Sequence, residues 1–410
     1  MNSLNSEKLS ILIHHHTIAY VQDDKIWLQS YIGFWVDELS KHFNKIGLIL
    51  FISNEKSDIQ DYCIKSQNIT LHPLGTSEQR GRIKRNQKAK SICKKVSQQY
   101  SCLIIRGITP RQLLVYKNST GCKVFYFVGS LYDSKTRLKF DIFSFFQRFM
   151  YHLRMIQLRS IFKTSSIITN SPGTVKEVEN KFGKAASFIS TNSLPKHFYN
   201  YRLYRPAEGV VKLLFCGRIT QDKGIEDLIY AVKILKDRNV LCHLRVIGTG
   251  TTKYFKNLAN LIQKESISER VQFTGFIDFG ERLMELYKQA DLFILPSYHE
   301  GFPHVIWEAA ASCTPIITTA VGGVSGLISN KEVFFVSPKS PSEIANTIEY
   351  IIHHPQIVKK KIDLAYKFAL SHTSEHCAEI FAKYVTKFNS ESRKNNVEKT
   401  LTYLPPVPNG

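Results

Sequence analysis

Two carboxylates, Glu300 and Glu308, stand eight positions apart in the run HEGFPHVIWEAAASCTPII, directly after the apolar stretch DLFILPS at 291–297. On a helix, eight residues make a little over two turns, about 12 Å at 1.5 Å per residue. Glu300 then falls in the loop at the helix's positive N-terminal end. Glu308 lies inside the helix on nearly the same face, with Gly301, Phe302 and Pro303 opening the segment between them. A strand ending in a loop whose free amides open a helix makes a site for an anionic group. Carboxylates flanking that site can accept hydrogen bonds from sugar and ribose hydroxyls. In isolation, the same pair also reads as two unrelated acids on a surface helix.

A second constellation lies upstream in FCGRITQDKGIEDL at 215–228. A buried strand ends at Gly217, which removes a side chain where backbone must come close to a ligand. Arg218 offers a planar donor fork and Lys223 a point cation, a combination suited to two phosphates. The plainer reading is a loop with two solvated cations. The turn VIGTG at 246–250 places Gly248 at the end of the next strand, and FTGFID at 273–278 carries Phe276. A lone GxG is weak evidence. Phe276 reads equally as a contact to a nucleotide base and as plain core.

Taken with its surroundings, the acid pair resembles the Glu-x7-Glu signature of family 4 retaining glycosyltransferases. Gly217–Arg218 with Lys223–Gly224 resembles that family's G-R-x4-K-G motif. The resemblance is strong over about 210–340 and only architectural over 1–200. It implies an α/β GT-B fold, with two Rossmann-like doubly wound domains facing across a cleft. It implies that Arg218 and Lys223 hold a donor diphosphate and stabilise charge on the leaving group. Gly217 and Gly248 would line the nucleotide pocket, Phe276 would meet the base, and Glu308 would bind the ribose. Glu300 would face the transferred sugar, oriented by amides around Gly301, Phe302 and Pro303, although Pro303 has no N–H of its own. The donor would be a UDP- or GDP-linked sugar, taken as a substrate, with no cofactor. Anomeric configuration would be retained without a covalent nucleophile. No DxD triplet occurs in the chain, so the positive charge is expected from Arg218, Lys223 and a helix N-terminus rather than from a metal. The first half departs from the family in two places. Where many relatives carry a Gly-Gly turn, IWLQSYIGFW at 26–35 offers only Gly33 and Ser30, so Gly33 is the candidate there. Where many carry a His, Gly129 and Ser130 stand instead. His14, His15 and His16 follow the first strand and read either as a cleft contact or as an ordinary strand-end cluster.

These motifs need strands to carry them. Short continuous apolar runs predict buried strands at 9–15, 46–53, 101–106, 123–128, 165–170 and 186–190. In the second half they predict strands at 211–217, 243–248, 271–275, 291–296, 315–320 and 332–337. Helices are expected at 35–43, 225–235, 281–290 and 342–354. In 225–235, Ile225, Leu228, Ile229, Val232 and Leu235 share one stripe. This order predicts two doubly wound domains, at 1–195 and 206–370. The resemblance implies that the first binds the acceptor and the second the nucleotide sugar, and that a helix at 371–390 returns to the first domain; 391–410 would be a loose tail.

The chain of 410 residues carries a net charge of +21. Residues 1–200 hold 29 Lys and Arg against 13 Asp and Glu; residues 201–410 hold 26 against 21. A basic first half points to an anionic partner. The charge concentrates in 80–95, while 140–163 is rich in Phe, Leu, Ile and Met and as a helix puts Ile142, Phe146, Phe149, Met150, Leu153 and Ile156 on one broad face, with Arg148, His152 and Arg159 to one side of it. Both segments could rest on an anionic membrane; as plain structure, 80–95 is a solvated loop and 140–163 a core helix. No nucleic-acid motif is present, so none is expected as partner. The expected partners are a nucleotide sugar and a glycan or lipid-linked acceptor. Eight cysteines without CxxC spacing read as reduced thiols of a cytoplasmic protein. Neither a signal-peptide pattern nor a run of 18 apolar residues is visible. Competing functions are a nucleotide-sugar epimerase on the same fold, a basic nucleic-acid or membrane binder, and a non-catalytic relative.

Overall fold

Strands that are apolar along their whole length must be covered on both faces, and this requirement organises the molecule. The computed structural model describes residues 8–77, 87–107, 110–127, 156, 158–159, 161–162, 165–190, 192, 194–300 and 303–401. In the first domain the strands are β1 (Ser10–His14), β2 (Ile18–Gln22), β3 (Lys25–Leu28), β4 (Lys45–Ile52), β5 (Tyr62–Cys63), β6 (Ile69–Thr76), β7 (Cys102–Arg106), β8 (Cys122–Phe127), β9 (Ser166–Thr169) and β10 (Ser187–Phe188). The parallel order is β6-β4-β1-β7-β8-β9-β10. A ribbon of β2, β3 and β5 hangs from the end of β4. Ile11, Ile13 and Ile104 pack on one face; Leu12, Leu103 and Ile105 pack on the other. Helices α1 (Ser30–Ser40), α2 (Gln87–Ser97), α3 (Pro110–Asn118) and α4 (Pro172–Phe182) cover these faces.

The second sheet is wholly parallel. Its strands β11 (Val211–Cys216), β12 (Cys242–Ile247), β13 (Val271–Gly275), β14 (Leu292–Leu295), β15 (Ile316–Thr319) and β16 (Phe334–Val336) run in the order β13-β12-β11-β14-β15-β16. Helices α5 (Ile225–Asp237), α6 (Thr252–Lys264), α7 (Glu281–Gln289), α8 (His304–Ala311), α9 (Pro341–His353) and α10 (Pro355–Leu370) cover it. The buried face of α5 is the predicted stripe of Ile225, Leu228, Ile229, Val232 and Leu235. In both sheets the strand order reverses at one point, between β1 and β7 and between β11 and β14. Ligands of open α/β sheets bind outside the carboxyl ends of the strands at such a point.

The last helix, α11 (Ser374–Leu401), leaves the second domain and packs on the first. Ala378, Phe381, Ala382 and Val385 enter the first-domain core, and the Tyr384 hydroxyl lies 2.6 Å from Ser166 Oγ on β9. The helix runs through 401 rather than ending near 390, so 391–401 is helical despite its polar composition; residues 402–410 lie outside the described part. At the two chain crossings, Asn192 Nδ2 donates to the His372 carbonyl and to the Tyr199 hydroxyl, and Ser374 N donates to the Leu194 carbonyl. Among the described residues no helix is long and apolar enough to cross a membrane.

Candidate active site

The turns after β11, β12 and β14 converge. Gly248 stands where a Cβ would come within 1.8 Å of the Gly217 carbonyl oxygen, so the turn after β12 can pack against the turn after β11 only without a side chain. Gly248 N donates to the Gly275 carbonyl at 2.8 Å. Phe276 follows at the end of β13 and is 47% exposed, which excludes the reading of it as plain core.

Lys223 is the last residue of the short turn after β11, which Gly224 caps, and it is buried. Its Nζ donates to Glu300 Oε1 at 2.5 Å, and Ser297 Oγ donates to the same oxygen at 2.7 Å. The sequence assigns Lys223 to a diphosphate and Glu300 to a sugar as separate roles. The structure makes them one buried ion pair, with side chains 10% and 9% exposed. Arg218 is exposed beside them and forms no salt bridge with any described residue. An unpaired guanidinium next to a paired ammonium is suited to a ligand with adjacent anionic groups.

Glu308 lies in the second turn of α8, whose N-cap is Pro303. Its Oε2 accepts from the Tyr287 hydroxyl of α7 at 2.7 Å. Burial pushes the Glu308 carboxyl up to about 7, against the opposing effect of the Tyr287 hydrogen bond. A carboxylate poised near neutrality gains from ligand hydroxyls that favour its ionised form. Gly301 and Phe302 lie outside the described residues.

Facing this group across the cleft is the first domain. A cavity of about 220 Å³ is lined by Ser30, Tyr31 and Phe34 of that domain, Asn192 and Leu194 of the crossing, and Phe279, His304 and Glu308 of the second domain. Phe34 meets Phe279 edge-on with ring centroids 5.3 Å apart, and Tyr31 lies 6.1 Å from His304. Burial, with the Arg106 charge adding to it, pushes His304 down to about 4. Gly33 sits inside α1 rather than in a turn. A Cβ there would come within 2.2 Å of the Tyr62 ring, so packing accounts for the glycine. His14 is buried and donates from Nδ1 to the Ile49 carbonyl at 2.6 Å. His15 Nδ1 accepts from Thr17 N, and His16 is exposed. Gly129 and Ser130 lie outside the described residues. So does most of 140–163, whose described end buries Leu158, Ile161 and Phe162 in the first-domain core.

Sequence reasoning passed over Tyr287, Ser297, Tyr31, Phe279 and Arg106. Ser297, three residues before Glu300, had a local signal. So did Arg106, a cation closing the apolar strand SCLIIRG. The rest meet their partners only through the fold.

Residues 204–368 match the model of the family described as glycosyl transferases group 1. A glycogen synthase of Mycobacterium tuberculosis is 27% identical over 202 residues, 48% of each chain. A capsular polysaccharide biosynthesis glycosyltransferase, CapM of Staphylococcus aureus, is 30% identical over 149 residues, 34% of this chain and 36% of its own. The chain spans about half or less of the length of these curated relatives in the matched region. The crystal structure of Anabaena Alr3699/HepE in complex with UDP superposes on 92% of this chain and 100% of its own, with a TM-score of 0.70 and 15% identity. That likeness concerns the fold, the two-domain GT-B arrangement described above. The stretch that matches the glycosyl transferases group 1 model, residues 204–368, is the one that carries Arg218, Lys223, Glu300 and Glu308.

Proposed function

We propose that the protein is a retaining glycosyltransferase that moves a sugar from a nucleoside diphosphate to a glycan or lipid-linked acceptor. The observation that carries this reading is the buried Lys223–Glu300 pair with the unpaired Arg218 beside it at the β11/β14 switch point. Arg218 and Lys223 bind the diphosphate, so no metal is required to neutralise it. Glu308 accepts from the ribose hydroxyls, Phe276 offers a face to the base, and Glu300 faces the transferred sugar. The bond from the sugar's anomeric carbon to the diphosphate oxygen breaks, and the acceptor oxygen adds to that carbon on the same face. The acceptor's proton passes to the departing phosphate. UDP in the HepE structure supports a uridine nucleotide, and the name of CapM supports a surface polysaccharide as the product's destination.

Thermal unfolding with UDP, GDP, ADP and CMP, without added metal, tests the donor site. A ligand at 100 times its dissociation constant adds about 2.7 kcal/mol. One nucleoside diphosphate should stabilise the parent and lose that effect in Arg218→Ala. No response to any of the four would defeat the reading.

We infer that the acceptor side works against the cytoplasmic face of a membrane. Helix α2 buries Ala89, Cys93 and Val96 and turns Lys88, Lys94 and Lys95 outward. Each basic residue near an anionic leaflet adds about 1 kcal/mol. Sedimentation with liposomes should rise with anionic lipid content and fall when these three lysines become glutamine. Sedimentation indifferent to both changes would exclude this face as the contact.

A further inference from the structure

Arg106 ends β7 beside β1, at the strand-order switch of the first domain, and is 1% exposed. Three aromatic rings surround its guanidinium, whose central carbon lies 4.7 Å from the centroid of Trp35 and 5.8 Å from those of Tyr31 and Tyr126. The backbone there is fixed by Gln112 Nε2, which donates to the Arg106 carbonyl. No carboxylate answers the charge: Arg106 forms no salt bridge with any described residue, and its Nε and Nη1 are buried without a hydrogen-bond partner. Ring faces attract the cation but accept no regular hydrogen bonds, so the donors remain unsatisfied. A buried guanidinium with idle donors is costly in a finished structure and suited to a site awaiting an anion. The group lies directly behind the cavity wall: Tyr31, whose ring it approaches, lines the interdomain cavity together with His304, whose titration the Arg106 charge helps to lower.

The donor's phosphates already have Arg218 and Lys223 on the second domain. We infer that Arg106 is an oxyanion-binding residue of the acceptor subsite, and that the acceptor presents a phosphate or a carboxylate to it. This rests on the reading of the chain as a sugar transferase. It adds a specificity that Glu300, Glu308, Arg218 and Lys223 do not supply: a neutral acceptor would leave the guanidinium unpaired.

The test uses the full chain, with and without saturating UDP, titrated with glycerol 3-phosphate as a phosphate monoester and glucuronate as a sugar carboxylate. One of the two should bind the parent saturably, and the one that binds identifies the anion. Arg106→Lys, which keeps the charge but loses the fork, should bind it at least tenfold more weakly, and Arg106→Met should not respond. Arg106→Met should also melt higher than the parent, because it removes a buried unpaired charge. A cation that merely braces the aromatic rings would instead melt lower on substitution. If the parent binds neither anion, the inference falls. It falls equally if Arg106→Lys binds like the parent, or if Arg106→Met melts lower with its anion response intact. Absence of any UDP effect in the same titrations would count against the sugar-transfer reading separately, since the anion arm is also run without nucleotide.

Discussion

Lys223→Met should lower stability by about 3–5 kcal/mol before any ligand is added. Removing one partner of a buried ion pair leaves the other charge uncompensated, and here, among the described residues, the Glu300 carboxylate would keep Ser297 Oγ alone as a donor. The same substitution should lower turnover of a nucleotide sugar by about 10²–10³, the usual effect of losing one donor to developing negative charge. The double variant Lys223→Met/Glu300→Gln separates the two effects. With neither charge present, most of the stability should return, while turnover stays low. Urea unfolding and donor turnover on the three proteins read this directly. A single variant as stable as the parent would mean that the pair is not buried as described. A double variant with parental turnover would remove Lys223 from the diphosphate site.

Glu308→Gln should stabilise the unliganded protein, but only at high enough pH. The folded carboxyl titrates at about 7, against an ordinary value of 4.5. Below 4.5 the group is protonated in both folded and unfolded chains and contributes no difference. Between 4.5 and 7 the unfolded chain releases the proton while the folded one holds it, so stability falls as pH rises. Above 7 the penalty is complete, about 3 kcal/mol for a gap of this width. Glutamine carries no such penalty and can still accept from the Tyr287 hydroxyl. The variant should therefore match the parent near pH 4 and exceed it by up to about 3 kcal/mol at pH 8. Its nucleotide-induced stabilisation should shrink, since an amide accepts less strongly from ribose hydroxyls than a carboxylate. Unfolding midpoints at pH 5 and pH 8 decide the matter; a variant destabilised by the same amount at both would refute the raised titration.

The second domain was legible because each of its strands is a short apolar block and each motif sits at a strand's carboxyl end. All six predicted strands lie within two residues of the observed ones at either end. In the first domain β2, β3, β5 and β6 were missed. β2 and β3 are short and partly exposed, so no continuous apolar block marks them. β5 has only two residues, and β6 carries Pro73 and Gly75, residues that argue against a strand except at an edge. The helix expected at 35–43 begins at Ser30, because Gly33 reads as a breaker in sequence while the fold uses it to admit the Tyr62 ring. The site divides in the same way. Glu300, Glu308, Arg218 and Lys223 stand out by type and spacing. That Lys223 and Glu300 hold one another, 77 positions apart, is a property of two adjoining turns and has no local signature.

The crossings at Asn192 and His372 have a mechanical consequence. Two covalent connections between bodies, tied to each other by hydrogen bonds at one place, act as a double-leaved hinge. A single tether would leave three rotations free; two side by side favour swinging about one line. That line runs past Asn192, which is also part of the cavity wall. Whatever enters between Tyr31 and Glu308 therefore sits close to the pivot, where a small angular change moves the walls least, and the widest travel belongs to the rim farthest from it.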